Sequence, residues 1–296
     1  GYYSITAKCV TDTIKGYDTL GMQYADKYKG VDQRLGLLSL AGVKYITVAH
    51  NSQVAKDVSS MGDVPYGVEK LNKKGNITLY KNKYALPFAY AYDSYMTEQQ
   101  YEQLNGIGKE QAMLEQIILD QHPADKEIQH NEQRNDPDIQ TISLPETRIS
   151  SPKGKKYADI TVPVEKDKET YLYFKNLVYH GKKNGDDNFI LTGRKGTKGI
   201  LVTQNDVQQK IHIQSTFNPY YFGRKDYIVK INHQASKAKE KVRLNFLSPG
   251  EYEFDDISLI TVPKKDVLAK LEERKKNSMK QIQYEGNHFR GVYHAK

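Results

Sequence analysis

Few residue sets in this chain have both the type and the spacing for chemistry. Asp255 and Asp256 form an acidic pair ahead of an apolar run, and hard carboxylate oxygens suit Ca²⁺ or a sugar hydroxyl. Adjacent residues on a strand point to opposite faces, so only one of the two can serve a given site. The competing reading is a turn whose acids accept local backbone N–H bonds. Asp186 and Asp187 lie in Lys-Asn-Gly-Asp-Asp-Asn, which is hairpin-loop chemistry before it is a cation site. The eight His are scattered, and none shows the helical zinc spacing H-E-x-x-H. His288 and His294 fall on one expected strand pair, a weak basis for a metal. No G-x-S-x-G nucleophile elbow is present.

Two stretches suit binding rather than catalysis. Gly193 to Gly199 reads GRKGTKG. It lacks the G-K-[ST] end of a Walker loop, yet its backbone N–H groups with Lys195 and Lys198 suit a phosphate. The same stretch also suits a plain hairpin tip. Tyr220, Tyr221 and Phe222 precede Arg224. Aromatic faces beside a cation suit sugar or base stacking, and they also suit the capping of a core. Asp32 and Arg34 read as structural: Asp32 as a helix N-cap, Arg34 as its ion-pair partner or that of another carboxylate. The expected ligand contacts are therefore Lys195, Lys198, Tyr220, Tyr221 and Arg224. No catalytic set, metal or cofactor is expected.

Composition narrows the setting. The 296 residues suffice for two domains. Hydrophobic content is 38% and mean hydropathy −0.73, so a core is available beneath a very polar surface. No run approaches the roughly eighteen apolar residues of a membrane helix. Gly1 reads as a cut edge, and the chain as a piece of something larger. Cys9 is the only cysteine, which excludes an internal disulfide. Charge is uneven. Residues 1–139 hold 15 Lys and Arg against 18 Asp and Glu, and residues 140–296 hold 29 against 18, a net +11. Such a field draws polyanions: wall polymers, anionic lipid head groups or nucleic acid. No nucleic-acid motif accompanies the charge, so nucleic acid is set aside. The plain alternative is a solvated lysine coat.

The elements that must position these residues change character along the chain. Residues 1–95 mix signals: helices at Thr11–Leu20 and Gln33–Leu40, a helical turn at Ser52–Ser59, and strands at Lys44–Ala49, Tyr66–Leu71, Ile77–Lys81 and Phe88–Tyr92. Lys74-Gly75-Asn76 marks a hairpin. Residues 96–120 read as two helical pieces, the first opened by a Thr97/Gln100 capping box. In the second, Met113, Leu114, Ile117 and Ile118 share a face. His122–Asp138 reads as a linker. From Ile139 short alternating strands follow one another, as in Val242-Arg243-Leu244-Asn245-Phe246. One charged helix, Lys264–Ser278, interrupts them, with Val267, Leu268 and Leu271 inward. The fold class is thus α+β. A small α/β domain (1–95) and a helical segment with linker (96–138) precede an all-β jelly-roll-like sandwich (139–296) with one inserted helix.

One stretch carries a family resemblance. Gly30, Asp32, Arg34, Leu37, Leu38, Leu40, Gly42, Val43, Lys44 and Tyr45 reproduce an order of G-D-x-R, short apolar helix, G-V-K-Y and strand. Pro65, Tyr66, Gly67 and Glu69 continue it, as do Asn76–Asn82 and Ala85-Leu86-Pro87. This pattern resembles the extracytoplasmic part of YfhO-type bacterial membrane proteins, and the match extends to about residue 120. The Ser248–Val262 segment is also similar to the end of carbohydrate-binding jelly rolls.

The resemblance implies a parent of the GT-C glycosyltransferase type in the membrane of a Gram-positive bacterium. It would move sugar from an undecaprenyl-phosphate carrier to an envelope polymer such as teichoic acid. The catalytic carboxylate would then lie in the membrane core, with a further membrane helix after Lys296, and this piece would be inactive alone. Expected partners are the membrane core of its own full-length chain, an anionic wall polymer or glycan, and the membrane surface. The alternative from another class is a free-standing surface carbohydrate-binding or adhesive protein.

Overall fold

Alternating β-branched and aromatic residues fill the second half of the chain, and strands dominate the structure there. The computed structural model describes residues 16–24, 27–31, 33–50, 64–123, 129–130, 137–142, 144, 146–153, 155–181, 199–205, 207–216, 223–231, 238–285 and 288–292. In chain order the first elements are β1 (Gly21–Tyr24), β2 (Lys27–Lys29), α1 (Leu35–Leu40), β3 (Tyr45–Ala49), β4 (Val68–Lys74), β5 (Ile77–Asn82) and β6 (Ser94–Thr97). Next come α2 (Glu98–Glu102), α3 (Gly106–Glu115), β7 (Ile117–Leu119), β8 (Gln129–His130), β9 (Asp138–Ile142), β10 (Arg148–Ser151), β11 (Lys156–Pro163) and β12 (Lys168–Lys175). After β13 (Val178–Gly181) follow β14 (Ile200–Gln204), β15 (Val207–Ile211), β16 (Tyr227–Lys230), β17 (Lys239–Phe246), β18 (Gly250–Glu253) and β19 (Asp256–Pro263). The last are α4 (Lys264–Lys276), β20 (Lys280–Glu285) and β21 (His288–Val292).

The described residues form two compact units interleaved along the chain. Unit 1 takes those up to residue 33 and those of 137–262; unit 2 takes those of 34–50, 64–136 and 263–292. The domains expected from sequence are contiguous, whereas these units are not. The charged helix α4 belongs with α1 and α3 of unit 2.

Unit 1 is built of sheets ordered β11-β17-β14-β15, β16-β12-β19-β9 and β10-β18-β13, with the β1–β2 pair beside them. Pairing in the first is antiparallel throughout, with Tyr157 opposite Asn245 and Asn245 opposite Leu201. Period-2 alternation sends Ile160 and Val162 of β11, and Val242, Leu244 and Phe246 of β17, inward. They share one apolar cluster with Leu172 and Phe174 of β12 and Ile257 and Leu259 of β19. Two four-stranded sheets thus bury facing residues in a common core, as a β-sandwich does. The β10-β18-β13 sheet escapes the sequence reading. Its strands are four residues long, and β10 and β18 are polar apart from Ile149 and Tyr252. Tyr252 fixes that sheet: its buried hydroxyl accepts from Ser248 N–H at 2.9 Å and donates to the Gly199 carbonyl at 3.2 Å.

Unit 2 mixes helices with a β3-β5-β4 antiparallel sheet and a β7-β6-β8 parallel one. The expected hairpin at Lys74-Gly75-Asn76 joins β4 to β5, with Gly75 at φ 55°. The capping box forms: Gln100 N–H donates to Thr97 Oγ1 and Thr97 N–H to Gln100 Oε1. Two expectations are corrected here. Phe88–Tyr92 is not a strand; only Tyr90 bridges, to Ser278. Ile117 and Ile118 do not continue the helix, because α3 ends at Glu115 and they form β7 parallel to β6. Apolar residues at helical spacing and short β-branched runs look alike in sequence. Of the expected helix Thr11–Leu20 only residues 16–20 are described, and residues 17–20 are not helical; Ser52–Ser59 lies outside the described residues.

Candidate functional site

The residues singled out in the sequence have unequal fates. Lys195, Lys198, Tyr220, Tyr221, Asp32, Asp186, Asp187 and His294 lie outside the described residues. Arg224 lies on the approach to β16 and turns its donors inward. Its guanidinium donates to the Thr19 carbonyl and, at 3.3 Å, to the Asp226 carbonyl, and it stacks 4.7 Å from the centre of the Tyr227 ring. That arrangement ties residue 19 to the strand. Asp255 accepts from Asn176 Nδ2, just after β12, at 2.5 Å, and Asp256 from Ser258 Oγ at 2.8 Å, so Asp255 bonds across to a distant turn and only Asp256 bonds locally. Among the described residues, no group of three or more His, Cys, Asp or Glu is placed to hold a metal ion.

Arg34 forms one half of a buried ion pair. It is the N-cap residue of α1, with no side-chain cap bond, and its side chain is 2% exposed. Its Nε donates to Glu110 Oε2 at 2.7 Å, and its Nη2 to the Gly106 carbonyl at 2.7 Å. Glu110 is 1% exposed, on α3. The pair therefore pins the start of α1 to α3. Gly36 makes this possible, because a Cβ there would run into the Glu110 carboxylate. Asn105 caps α3, its Oδ1 accepting from Ile107 and Gly108 N–H at 3.0 and 2.9 Å.

Unit 1 has a counterpart. Lys230 Nζ of β16 donates to Glu169 Oε1 of β12 at 2.6 Å and to the Gln33 carbonyl at 2.9 Å. Glu169 is 1% exposed and Lys230 12%. Both ion pairs are deep, and each also bonds a backbone carbonyl, which such pairs need to offset their desolvation.

A third cluster is exposed, on the outward face of the β11-β17-β14-β15 sheet. Alternation puts Tyr157, Asp159 and Thr161 of β11 there, with Lys239, Lys241, Arg243 and Asn245 of β17. The Asp159 carboxylate accepts from Arg243 Nε at 2.7 Å and Nη2 at 2.9 Å, and lies 3.1 Å from Lys241 Nζ. The bidentate Arg243 bond, with Lys241 behind it, holds the Asp159 carboxyl well below the usual carboxylate range. The Arg243 guanidinium sits 4.6 Å from the centre of the Tyr157 ring, and Tyr157 stays 56% exposed. At the same register as Tyr157, Asn245 and Leu201, Lys210 of β15 is half-buried, and burial lowers its ammonium to about 8. The alternation of β17 is legible in sequence and already faces Arg243 outward. That β11 is its partner, which brings Tyr157 and Asp159 beside it, is known only from the pairing.

This arrangement offers binding chemistry: an aromatic ring held by a guanidinium, with a row of cations beside it. Comparison with known proteins supplies the wider setting. A 100-residue stretch is 31% identical to "Uncharacterized protein YfhO" of Bacillus subtilis strain 168, covering 34% of this chain and 11% of that protein. No helix among the described residues is long and apolar enough to cross a membrane. The family model described as "Bacterial membrane protein YfhO" matches residues 1–296, and the chain belongs to that family.

Proposed function

We propose that this chain is the extracytoplasmic part of a membrane-embedded glycosyltransferase. The parent would transfer sugar from an undecaprenyl-phosphate carrier to an anionic envelope polymer such as teichoic acid. The piece itself would hold the acceptor polymer near the membrane core that carries the chemistry. The observation that carries this reading is membership of a bacterial membrane-protein family along the whole chain, joined to a strand-rich half with net charge +11. A polyanion gains most from such a field. We also propose that unit 1 is a sandwich of the jelly-roll, carbohydrate-binding kind, a reading supported by its two four-stranded sheets on one core. Lys195, Lys198, Tyr220 and Tyr221 are proposed loop contacts, with Arg224 positioning the segment that follows them.

The test uses the full-length parent in membrane vesicles. Deleting residues 1–296 should abolish or strongly reduce sugar transfer to the polymer, while protease added outside intact cells should cut within this region. Undiminished transfer by the deleted parent, or protection from outside protease, would overturn the reading. The 296-residue chain alone should transfer no sugar.

A further inference from the structure

We infer that the outward face of the β11-β17-β14-β15 sheet is a binding platform for a sugar-bearing phosphodiester polymer, with Tyr157 taking a sugar ring and Lys239, Lys241 and Arg243 taking successive phosphates. This deepens, and rests on, the acceptor-binding reading above. It does not call on Lys195 or Lys198.

Four features carry it. The first is the exposed ring: Tyr157 is 56% exposed, on a strand whose alternate residues Ile160 and Val162 are buried. Exposed aromatics are normal singly, but this one is held from one side by a guanidinium 4.6 Å from its centre. That guanidinium is itself fixed by two bonds to Asp159. A ring with fewer orientations to lose stacks at lower entropic cost.

The second feature is charge complementarity. The face carries Lys239, Lys241 and Arg243 along β17, with Lys210 across the sheet, against one carboxylate, Asp159, among the described residues of these strands. The third is spacing. Alternate residues of a strand repeat at about 7 Å. That is comparable to the six-bond repeat of a chain whose phosphodiesters join three-carbon polyols. One extended polymer laid along β17 can therefore meet several cations in turn, and linked weak contacts reinforce one another. The fourth is hydrogen bonding: Gln208 and Thr203 share the register of Arg243 and Asp159, and their side chains suit sugar hydroxyls.

The experiment titrates the 296-residue chain with two purified probes at low and physiological salt: poly(glycerol phosphate) without sugar, and the same polymer carrying sugar substituents. Wild type should bind both, the sugar-bearing polymer more tightly, with affinity falling steeply as salt rises. Lys239→Glu with Lys241→Glu should weaken both probes at least tenfold at low salt. Tyr157→Ala should remove the preference for the sugar-bearing polymer. Both variants should keep the wild-type melting temperature, since the altered side chains are exposed.

If wild type binds but neither variant changes affinity, the platform lies elsewhere and only this inference falls. If Tyr157→Ala leaves the sugar preference intact, or no preference exists, the proposed role of the ring falls. If wild type binds neither polymer at low salt, the acceptor-binding reading falls with it.

Discussion

Unit 1 and unit 2 bury their interiors by different means. In unit 1 most inward residues of β11, β12, β17 and β19 are apolar and merge into one cluster that takes in Tyr252 and Phe246, with Thr170, Glu240 and the Glu169–Lys230 pair as buried polar exceptions. Packing there is generic in chemistry and specific in shape. In unit 2 the helix α3 is buried along nearly its whole length, yet the buried set includes Lys109, Glu110 and Gln111 beside Ile107 and Leu114. Asn82 is buried as well, and its amide donates to Ser39 Oγ at 3.1 Å and the Val43 carbonyl at 3.0 Å while Tyr84 N–H donates to its carbonyl at 2.9 Å. An apolar core tolerates substitutions of similar volume. A buried polar network does not tolerate the loss of one member.

The strongest way to break this contrast is at Arg34. Arg34→Ala leaves the Glu110 carboxylate buried without its guanidinium, a loss of about 3–5 kcal/mol. Phe246→Ala should cost a similar amount, about 3–5 kcal/mol, through cavity formation. The conservative variants separate the two. Phe246→Leu should recover most of its loss, because volume and polarity are nearly kept. Arg34→Lys should recover little, because one ammonium does not replace a fork that serves Glu110 and the Gly106 carbonyl together. Denaturant unfolding, with hydrogen exchange on α3 and β17 as local probes, reads both. Full rescue by Arg34→Lys would erase the contrast.

A smaller effect of opposite expected sign comes from Gly36. In a helix Gly→Ala ordinarily stabilises by up to about 1 kcal/mol. Here the new Cβ would meet the Glu110 carboxylate, which Arg34 holds in place, so Gly36→Ala should destabilise by about 1–3 kcal/mol. A rise in the unfolding midpoint would show that Glu110 moves freely.

Legibility in the sequence follows the same division. Strands of unit 1 with clear alternation are found to within two residues, because each burial choice repeats along the strand: the sequence reads Lys241–Leu247 and Tyr157–Val164 where the structure has Lys239–Phe246 and Lys156–Pro163. The β10-β18-β13 sheet is missed because four-residue strands hold too few alternations, and their pairing is set by Tyr252 and its distant partners. In unit 2, Arg34 is marked as structural, but Glu110 is not its evident partner, since 76 residues separate them and nothing local signals the pairing. α1 also buries Leu35, Leu37 and Ser39 rather than Leu38 and Leu40, since a six-residue helix takes its face from tertiary packing. Of the exposed cluster, sequence alternation points Arg243 outward, while Tyr157 and Asp159 join it only through antiparallel register.

Lys210 tests the edge of unit 1 with a pH dependence. Burial lowers its ammonium to about 8, against about 10.4 in the unfolded chain. Between those values the unfolded chain holds a proton that the folded one has released, so stability rises with pH across that window. Below about 8 both states are protonated, and the burial cost is carried in full. The half-exposed position reduces the size of the effect. Lys210→Met should raise the denaturation midpoint at pH 7 and flatten its rise between pH 8 and 10. A midpoint that falls across this window in wild type would contradict the assignment.

Asp159 and Arg243 give the smallest stability effect and so the sharpest contrast with Arg34 and Glu110. Both pairs have short bonds, 2.7 Å from each Arg Nε, but Arg243 is 47% exposed and Arg34 2%. Water competes for an exposed pair, salt screens it, and ordering two long side chains offsets much of what remains. The Asp159 carboxyl is held low first by its Arg243 bond. Whatever it contributes is therefore present above the ordinary carboxylate range and is lost only as pH falls below it. At pH 7, Asp159→Asn should leave the unfolding midpoint within measurement error. If the outer sheet face takes a polyanion, the same change removes a carboxylate from among its cations and should tighten binding of poly(glycerol phosphate) at low salt. A destabilised Asp159→Asn protein would mean that exposure does not separate the two ion pairs. Unchanged or weaker polymer binding would mean that Asp159 serves the face by holding Arg243 under Tyr157 more than it opposes the polymer's charge.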